Sequence, residues 1–390
     1  MLELTDIQKE IVSTVRDFVQ SEVIPVADEM EHNDEYPEKI VEQMKEMGLF
    51  GITVPEEFGG IGESLTTYAL TVVELARGWM SLSGVLNTHF MGCYLINRFG
   101  TDEQKQHYLP KMATGEWRAA LAMSEPEAGS DVQAITTKAI ADGDDYVVNG
   151  QKMWLTNGLR SSIVMTLVKT DPSADPPHKG MSMLIVEKEG GNPTPAEGLD
   201  VGKNIPKLGY KGVETTEMVF NDYRIARSQL LGTEEGKGFQ QVLDGIELGR
   251  VNVAARAVGV ATRAFEEAIR YAQERKAFGK AISGHQAIQI HLAEMGTTLE
   301  AAKLMLYQAA EKKSAGERSD LEAGMAKLFA SEACNEIVLK SLRVHGGYGY
   351  SKEFTVERLY RDAPFLLIGE GTSEIQKTVI ARRLLEKYKI

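Results

Sequence analysis

Apolar and polar positions change rhythm twice along the chain. Up to about residue 115 the apolar residues recur at helical spacing. Ile7, Ile11, Val15 and Phe18 share one face, with Asp6, Lys9, Glu10 and Arg16 opposite. Thr5 is a candidate N-cap for this helix and Pro25 a candidate end. The stretch "VPEEFGGIGES" reads as a loop, because Pro and clustered Gly break regular structure. Two apolar runs follow, "LTTYALTVVELARG" and "VLNTHFMGCYLINRFG", each closing on glycine, a common helix stop.

Between about 117 and 230 the period shortens. "SIVMTLVK", "MSMLIVEK" and "TTEMVFND" alternate with "ADGDD", "DPSADPP" and "GGNPTPAEG", which predicts an all-β insert of hairpins and loose loops. "YVVNGQKMWLTNG" carries two Asn-Gly turns flanked by β formers. From about 237 helical spacing returns and persists. "VNVAARAVGVATRAFEEAIRYAQER" predicts a buried bundle helix, with "HQAIQIHLAEMGTTLEAAKLMLYQAAEKK" and "LEAGMAKLFASEACNEIVLKSLRV" as long amphipathic partners. The expected class is α+β. A helical domain over 1–116 and a β domain over 117–232 precede a four-helix bundle over 233–390.

Composition narrows the function. The 390 residues are 43% hydrophobic and 25% charged, ordinary for a globular chain with room for more than one domain. A net charge of -13 without a Lys/Arg block argues against a nucleic-acid or anionic-membrane surface. Cys93 and Cys334 lie far apart in apolar helical contexts, as expected of buried small hydrophobes in a reducing compartment. The seven histidines are scattered, so no metal site is expected. The N-terminal residues mix acids and bases, unlike a signal or transit peptide, and no run approaches a membrane span. A cytoplasmic protein is the expectation.

The candidate chemistry centres on "IGEGTSEIQK" (368–377), which frames Glu370 between two glycines. Glycine permits backbone angles and close approaches closed to other residues. One reading is a helix entry, since the helix dipole favours an acid there and Ser373 with Gln376 matches an S-x-x-Q capping box. The other is a site where something flat and bulky comes up to Glu370. "HGGYGY" (345–350) fits a helix C-cap and turn, and nothing matches a Rossmann or P-loop fingerprint. "SEPEAGSDV" (124–132) is a solvated loop or an anion-friendly one. "WLTNG" (154–158) sets Trp154 and Thr156 on one strand face, suited to a flat heterocycle or to a plain sheet surface. "RYAQERKAFGK" (270–280) groups Arg275, Lys276, Phe278 and Lys280 at a helix end, where dipole complementation alone explains the charges. No Gly-x-Ser-x-Gly elbow supports nucleophilic hydrolysis.

Taken together and in order, "MSEPEAGSDV", "GQKMWLTNG", "RKAFGK…HQAIQ", "HGGYGY" and "IGEGTSEIQK" make the whole chain resemble an acyl-CoA dehydrogenase of the short/medium/branched-chain type. The resemblance implies a β-barrel-like middle domain, FAD as cofactor and an acyl-CoA substrate. Oxidation to the trans-2-enoyl-CoA would send hydride to flavin N5, and electrons onward to electron-transferring flavoprotein. Glu370 falls on the family's base. The base's other position in the family, on the first long C-terminal helix, falls on Gly249, which cannot act, with Glu247 two residues away. By the same resemblance Leu121, Met123, Ser124, Gly129 and Ser130 line FAD, with Ser130 also near CoA. Trp154 and Thr156 flank the isoalloxazine. Arg275, Phe278, Gln286 and the turn of Arg343, His345, Gly346 and Gly347 reach the FAD of a neighbouring subunit in a homotetramer, while Thr372 and Glu374 meet FAD beyond the base. Glu247, Arg250, Gly371 and Arg382 border the substrate.

Some positions depart from the family pattern. Arg343 replaces a frequent Gln, Ser124 a Thr and Glu127 a Gly. Gly369 replaces a frequent Tyr, from which a wider acyl group is expected. Rival functions are an acyl-CoA oxidase or flavin monooxygenase on the same fold, a flavin-free interaction protein, and a CoA carrier without redox function.

Overall fold

The structure is a computed structural model and describes residues 4–390. Thr5 caps α1 (Asp6–Phe18): its hydroxyl accepts from the Gln8 N–H, and the Gln8 side chain returns the bond. Pro25 does not end this helical path. Ile24 N–H bonds back to Val19 O across one π turn, Val19–Val23, and the chain runs on into α2 (Ile24–His32). Pro25 thus sits in a first turn, where a missing N–H is harmless. Helices α3 (Glu38–Glu46), α4 (Leu65–Gly78), α5 (Met80–Phe99) and α6 (Asp102–Ala113) complete the first region. Gly78 closes α4 for a packing reason, since a Cβ there would lie 2.5 Å from Val19 Cγ1.

Seven strands form the middle sheet: β1 (Ala119–Ala122), β2 (Lys138–Asp142), β3 (Asp145–Thr156), β4 (Ile163–Lys169), β5 (Met181–Glu187), β6 (Leu199–Val201) and β7 (Thr215–Ala226). Their order is β1-β4-β2-β3-β7-β6, with β5 also paired to β4. The unbroken apolar runs of β4 and β5 have a simple cause: both faces are buried. Ile163, Met165 and Leu167 join the core shared with the helices, while Val164 and Val168 join a second core on the other face. Each such fully buried side chain stabilises the fold by about 1.5–3 kcal/mol.

Only one of the two Asn-Gly pairs makes the expected turn. Gly150 lies inside β3 with φ +145°, at a bulge opposite β7, where a Cβ would meet Thr137 Oγ1 at 2.4 Å. Asn157, at φ +62°, does open a turn. A second irregularity, between Lys152 and Leu155, contains Trp154 at φ +66°.

Lys152 ties this bulged strand to the loop after β1. Its Nζ, fully buried, donates to Glu125 Oε1 at 2.8 Å and Met123 O at 3.2 Å. Burial alone would raise the Glu125 carboxyl; Lys152, with Thr137 and Thr136, overrides this and holds it at about 2. Burial pulls Lys152 down to about 8, opposed by Glu125, so both remain charged at neutral pH. The depressed Glu125 value makes its contribution complete above the ordinary 4.5 and lost as pH falls toward about 2. Lys152→Met strands a buried carboxylate, and urea unfolding should show a loss of about 3–5 kcal/mol at neutral pH. That loss should shrink under acid, where Glu125 becomes neutral.

The last region contains α7 (Gly238–Glu274), the short hairpin β8 (Lys276–Ala277) and β9 (Lys280–Ala281), α8 (Gln286–Ser314), α9 (Asp320–His345), α10 (Thr355–Asp362), α11 (Phe365–Ile368) and α12 (Ser373–Lys387). Helices α7, α8, α9 and α12 form the bundle, and α7 also packs on α4 and α5. The α4 contact is nearly backbone to backbone: a Cβ on Gly259 would lie 2.4 Å from Val73 O. The turn entering α12 lies against α5, α7 and α9, through Asn87, Gly249 and Lys327.

Candidate active site

Glu370 occupies that turn. Gly369 has φ -64°, Glu370 φ +56° and Gly371 φ +92°. A non-glycine residue in the left-handed region costs about 1–2 kcal/mol, so the surroundings must hold it there. Lys327 Nζ, from α9, donates to Gly371 O at 2.8 Å. Gln376 Nε2 donates to the carbonyls of Glu370 and Gly371, each at 3.4 Å. The predicted capping box is displaced by one residue. Thr372 caps α12 by accepting from the Ile375 N–H, so Gln376 is free to staple the turn.

The carboxylate is held at one oxygen and open at the other. Oε1 accepts from Asn87 Nδ2 at 2.9 Å, from α5. Oε2 faces Gly249 on α7, where a Cβ would sit 2.5 Å away. Burial pushes the Glu370 carboxyl above its usual range; Arg256, the Asn87 hydrogen bond, Lys327 and Arg250 pull it back. Lys327 is itself lowered to about 8 by burial, against the pull of Glu370. Asn87 favours the ionised form, so Asn87→Leu should raise the carboxyl further. If Glu370 must be ionised to work, the acid limb of the kcat–pH profile moves to higher pH in that variant.

The other candidate residues fall into three groups. Ser124 O accepts from the Met153 N–H at 2.9 Å, which sets Met123 and Ser124 beside the bulge bearing Trp154, with Leu121 on β1 and Thr156 just past the bulge. The Trp154 ring is 58% exposed, while Gly129 and Ser130 lie on the exposed end of the loop. Far along the chain, Arg275, Phe278, His345, Gly346 and Gly347 line one cavity of about 750 Å³. Phe278 stands 95% exposed at φ +51° on the hairpin, and His345 is buried against the Tyr271 ring, centroids 4.3 Å apart. Gln286 opens α8 and Arg343 lies in the last turn of α9, both exposed.

The third group is spread over α7 and α12, and of it Arg250 acts on Glu370. Arg250 is half-buried with a partnerless Nε. Glu247 is already engaged by Lys313 at 3.1 Å and the Ser319 hydroxyl at 2.8 Å. Glu374 and Arg382 are exposed on α12. Asn87, Lys327 and Arg256 escaped the sequence reading. Their one signal was a polar residue inside an otherwise apolar helical run. Among the described residues no group of three His, Cys, Asp or Glu could hold a metal, and no helix could cross a membrane.

Comparison with known proteins gives this geometry a lineage. Three family models match in order: the N-terminal (5–116), middle (120–223) and C-terminal (236–385) domains of acyl-CoA dehydrogenase. The chain is 41% identical to a 3-(aryl)acrylate reductase of Clostridium sporogenes, over 95% of this chain and 96% of that one. It is 40% identical to an acyl-CoA dehydrogenase of Bacillus subtilis (98% and 99%). It is 39% identical to the caffeyl-CoA reductase-Etf complex subunit CarC of Acetobacterium woodii (97% and 98%). Butyryl-CoA dehydrogenase from Megasphaera elsdenii superimposes with TM-score 0.94 at 33% identity, covering 99% of this chain and 100% of that one. PigA, solved with FAD and proline, gives 0.91 at 30% identity, covering 98% and 99%. A helical–β–helical chain whose last helix is entered through a glycine-framed glutamate, matched along its length in sequence and in space, belongs to the acyl-CoA dehydrogenase family of oxidoreductases.

Proposed function

We propose that the protein dehydrogenates an acyl-CoA thioester between its α and β carbons, with Glu370 as the base. One observation carries this: a single carboxylate held in a left-handed turn, oriented by Asn87 and faced by a glycine. An α-C–H beside a thioester is weakly acidic, so a base must lie in reach while donors stabilise the enolate oxygen. The Glu370 backbone N–H is the chain's own donor for that oxygen. Burial makes the carboxyl a stronger base than a solvated one, and Arg256, Lys327 and Arg250 act against that shift.

The residues present fit FAD. An exposed indole on a strained bulge beside Thr156 suits a flat ring system, and the loop 121–130 lies against it. The cavity under Phe278 suits a nucleotide end. By family pattern this second site serves the neighbouring subunit of a homotetramer. Bound FAD supplies the hydride acceptor, and electrons leave to electron-transferring flavoprotein. The Clostridium sporogenes and Acetobacterium woodii relatives are both named as reductases. In that direction the same Glu370 carboxyl would return the proton to the α-carbon.

Gly369 leaves less room than its lack of a side chain suggests. A Cβ there would lie 2.7 Å from the Phe365 ring, so a wide acyl group would share the space with that ring.

Anaerobic titration with a panel of acyl-CoAs tests the proposal. The flavin should bleach with at least one member, without oxygen uptake under air. A colourless protein that takes up no FAD would sink it, and stoichiometric oxygen consumption would replace it with an oxidase.

A further inference from the structure

Arg256 lies on α7, seven residues after Gly249 and on the same face, about 10 Å along the helix axis. Its guanidinium reaches Ser83 O on α5, one turn before Asn87, the residue that holds the base. Arg256 is 1% exposed. For a buried guanidinium it is poorly served. Nη1 donates to the Tyr210 hydroxyl at 3.1 Å, Nη2 reaches Ser83 O only at 3.5 Å, and Nε has no partner. The Tyr210 and Phe365 rings lie 5.4 and 5.8 Å from its central carbon. Phe365 is the ring packed against Gly369, next to the base.

Among the described residues no carboxylate lies within ion-pair distance of Arg256. The chain treats its other deeply buried arginine, Arg358, quite differently: Asp28 accepts from its Nε at 2.6 Å and Gly78 O from Nη2 at 3.0 Å. Arg256 thus has no direct ion pair, its charge is met only at longer range by Glu370, and its Nε is left without a partner, a costly arrangement for a buried guanidinium. Arg256 is also the foremost cation acting on Glu370, and the Phe365 ring it lies over is the one packed on Gly369, which places it beside the base's turn. Tyr210, whose hydroxyl would collide with any side chain at residue 84, adds a second polar group to that wall.

We propose that Arg256, with the Tyr210 hydroxyl, docks a carboxylate at the far end of the acyl group, so that the preferred substrate is the monothioester of a short dicarboxylic acid. This rests on the dehydrogenase reading of the same site. A hydrocarbon tail gains nothing from a buried guanidinium, whereas a carboxylate takes up its free fork bidentately.

Isothermal titration of the FAD-loaded protein under anaerobic conditions compares pentanoyl-CoA with glutaryl-CoA, equal in chain length and differing in the end group. Glutaryl-CoA should bind at least tenfold more tightly. Arg256→Gln should erase that ratio with the FAD content unchanged, and Arg256→Lys should keep part of it. Equal or tighter binding of pentanoyl-CoA to the wild type would overturn the proposal. So would a preference that survives in Arg256→Gln. The wild-type comparison decides even if both variants fail to fold. Flavin bleaching is read separately. Preferential glutaryl-CoA binding without bleaching would remove the dehydrogenase reading and leave the docking site. Bleaching by pentanoyl-CoA without any binding preference would do the reverse.

Discussion

Glu370→Gln is expected to leave a folded, yellow protein that still binds acyl-CoA but bleaches about 10²–10⁴-fold more slowly. The amide keeps the volume of the acid and can still accept from Asn87 Nδ2, so the turn held by Lys327 and Gln376 has no reason to move. Only the proton acceptor is lost. The groups that act electrostatically on Glu370 and could stand in are Arg256, Lys327 and Arg250, all cations in their ordinary state. Lys327, though lowered to about 8, is directed at Gly371 O. Anaerobic stopped-flow absorbance at the flavin band, with FAD content measured alongside, reads the effect.

The second large effect is expected at Gly249. A Cβ there would come 2.5 Å from Oε2 of the base, so Gly249→Glu forces two carboxylates into one position and should cost at least 10² in bleaching rate. Combining it with Glu370→Gly changes the outcome. The glycine relieves the φ +56° strain and vacates the site, and the new acid on α7 projects into it. The double variant should therefore bleach at least tenfold faster than Glu370→Gly alone. A double variant no faster than that single one would mean that the carboxylate's position does not define the chemistry.

Much of this was legible in the chain, and for identifiable reasons. The Thr5 cap and the three long β runs follow from local hydrogen bonding and side-chain burial, which neighbouring residues determine. Glycines on both sides of one acid advertised an unusual backbone. Pro25, Gly150 and the cap of α12 were misjudged because each is decided by geometry one or two residues away: a π turn, a bulge, and a threonine preceding the serine. Asn87, Lys327 and Arg256 were illegible for another reason. Each comes from a different helix, and only the packing of α5, α9 and α7 around one turn gives their polarity a purpose. The end-group specificity proposed for Arg256 likewise depends on what is missing around it, and periodicity does not report missing partners.

Exchange at the α-carbon isolates the central claim from every later electron-transfer step. The enzyme would be incubated anaerobically in D₂O with its best-binding acyl-CoA, and deuterium in the recovered thioester followed by mass spectrometry. Wild type should introduce deuterium at the α-carbon, and Glu370→Gln should not, at equal ligand occupancy. Equal exchange in the two proteins would show that another group takes that proton, and Glu370 would then be no more than the entry to a helix.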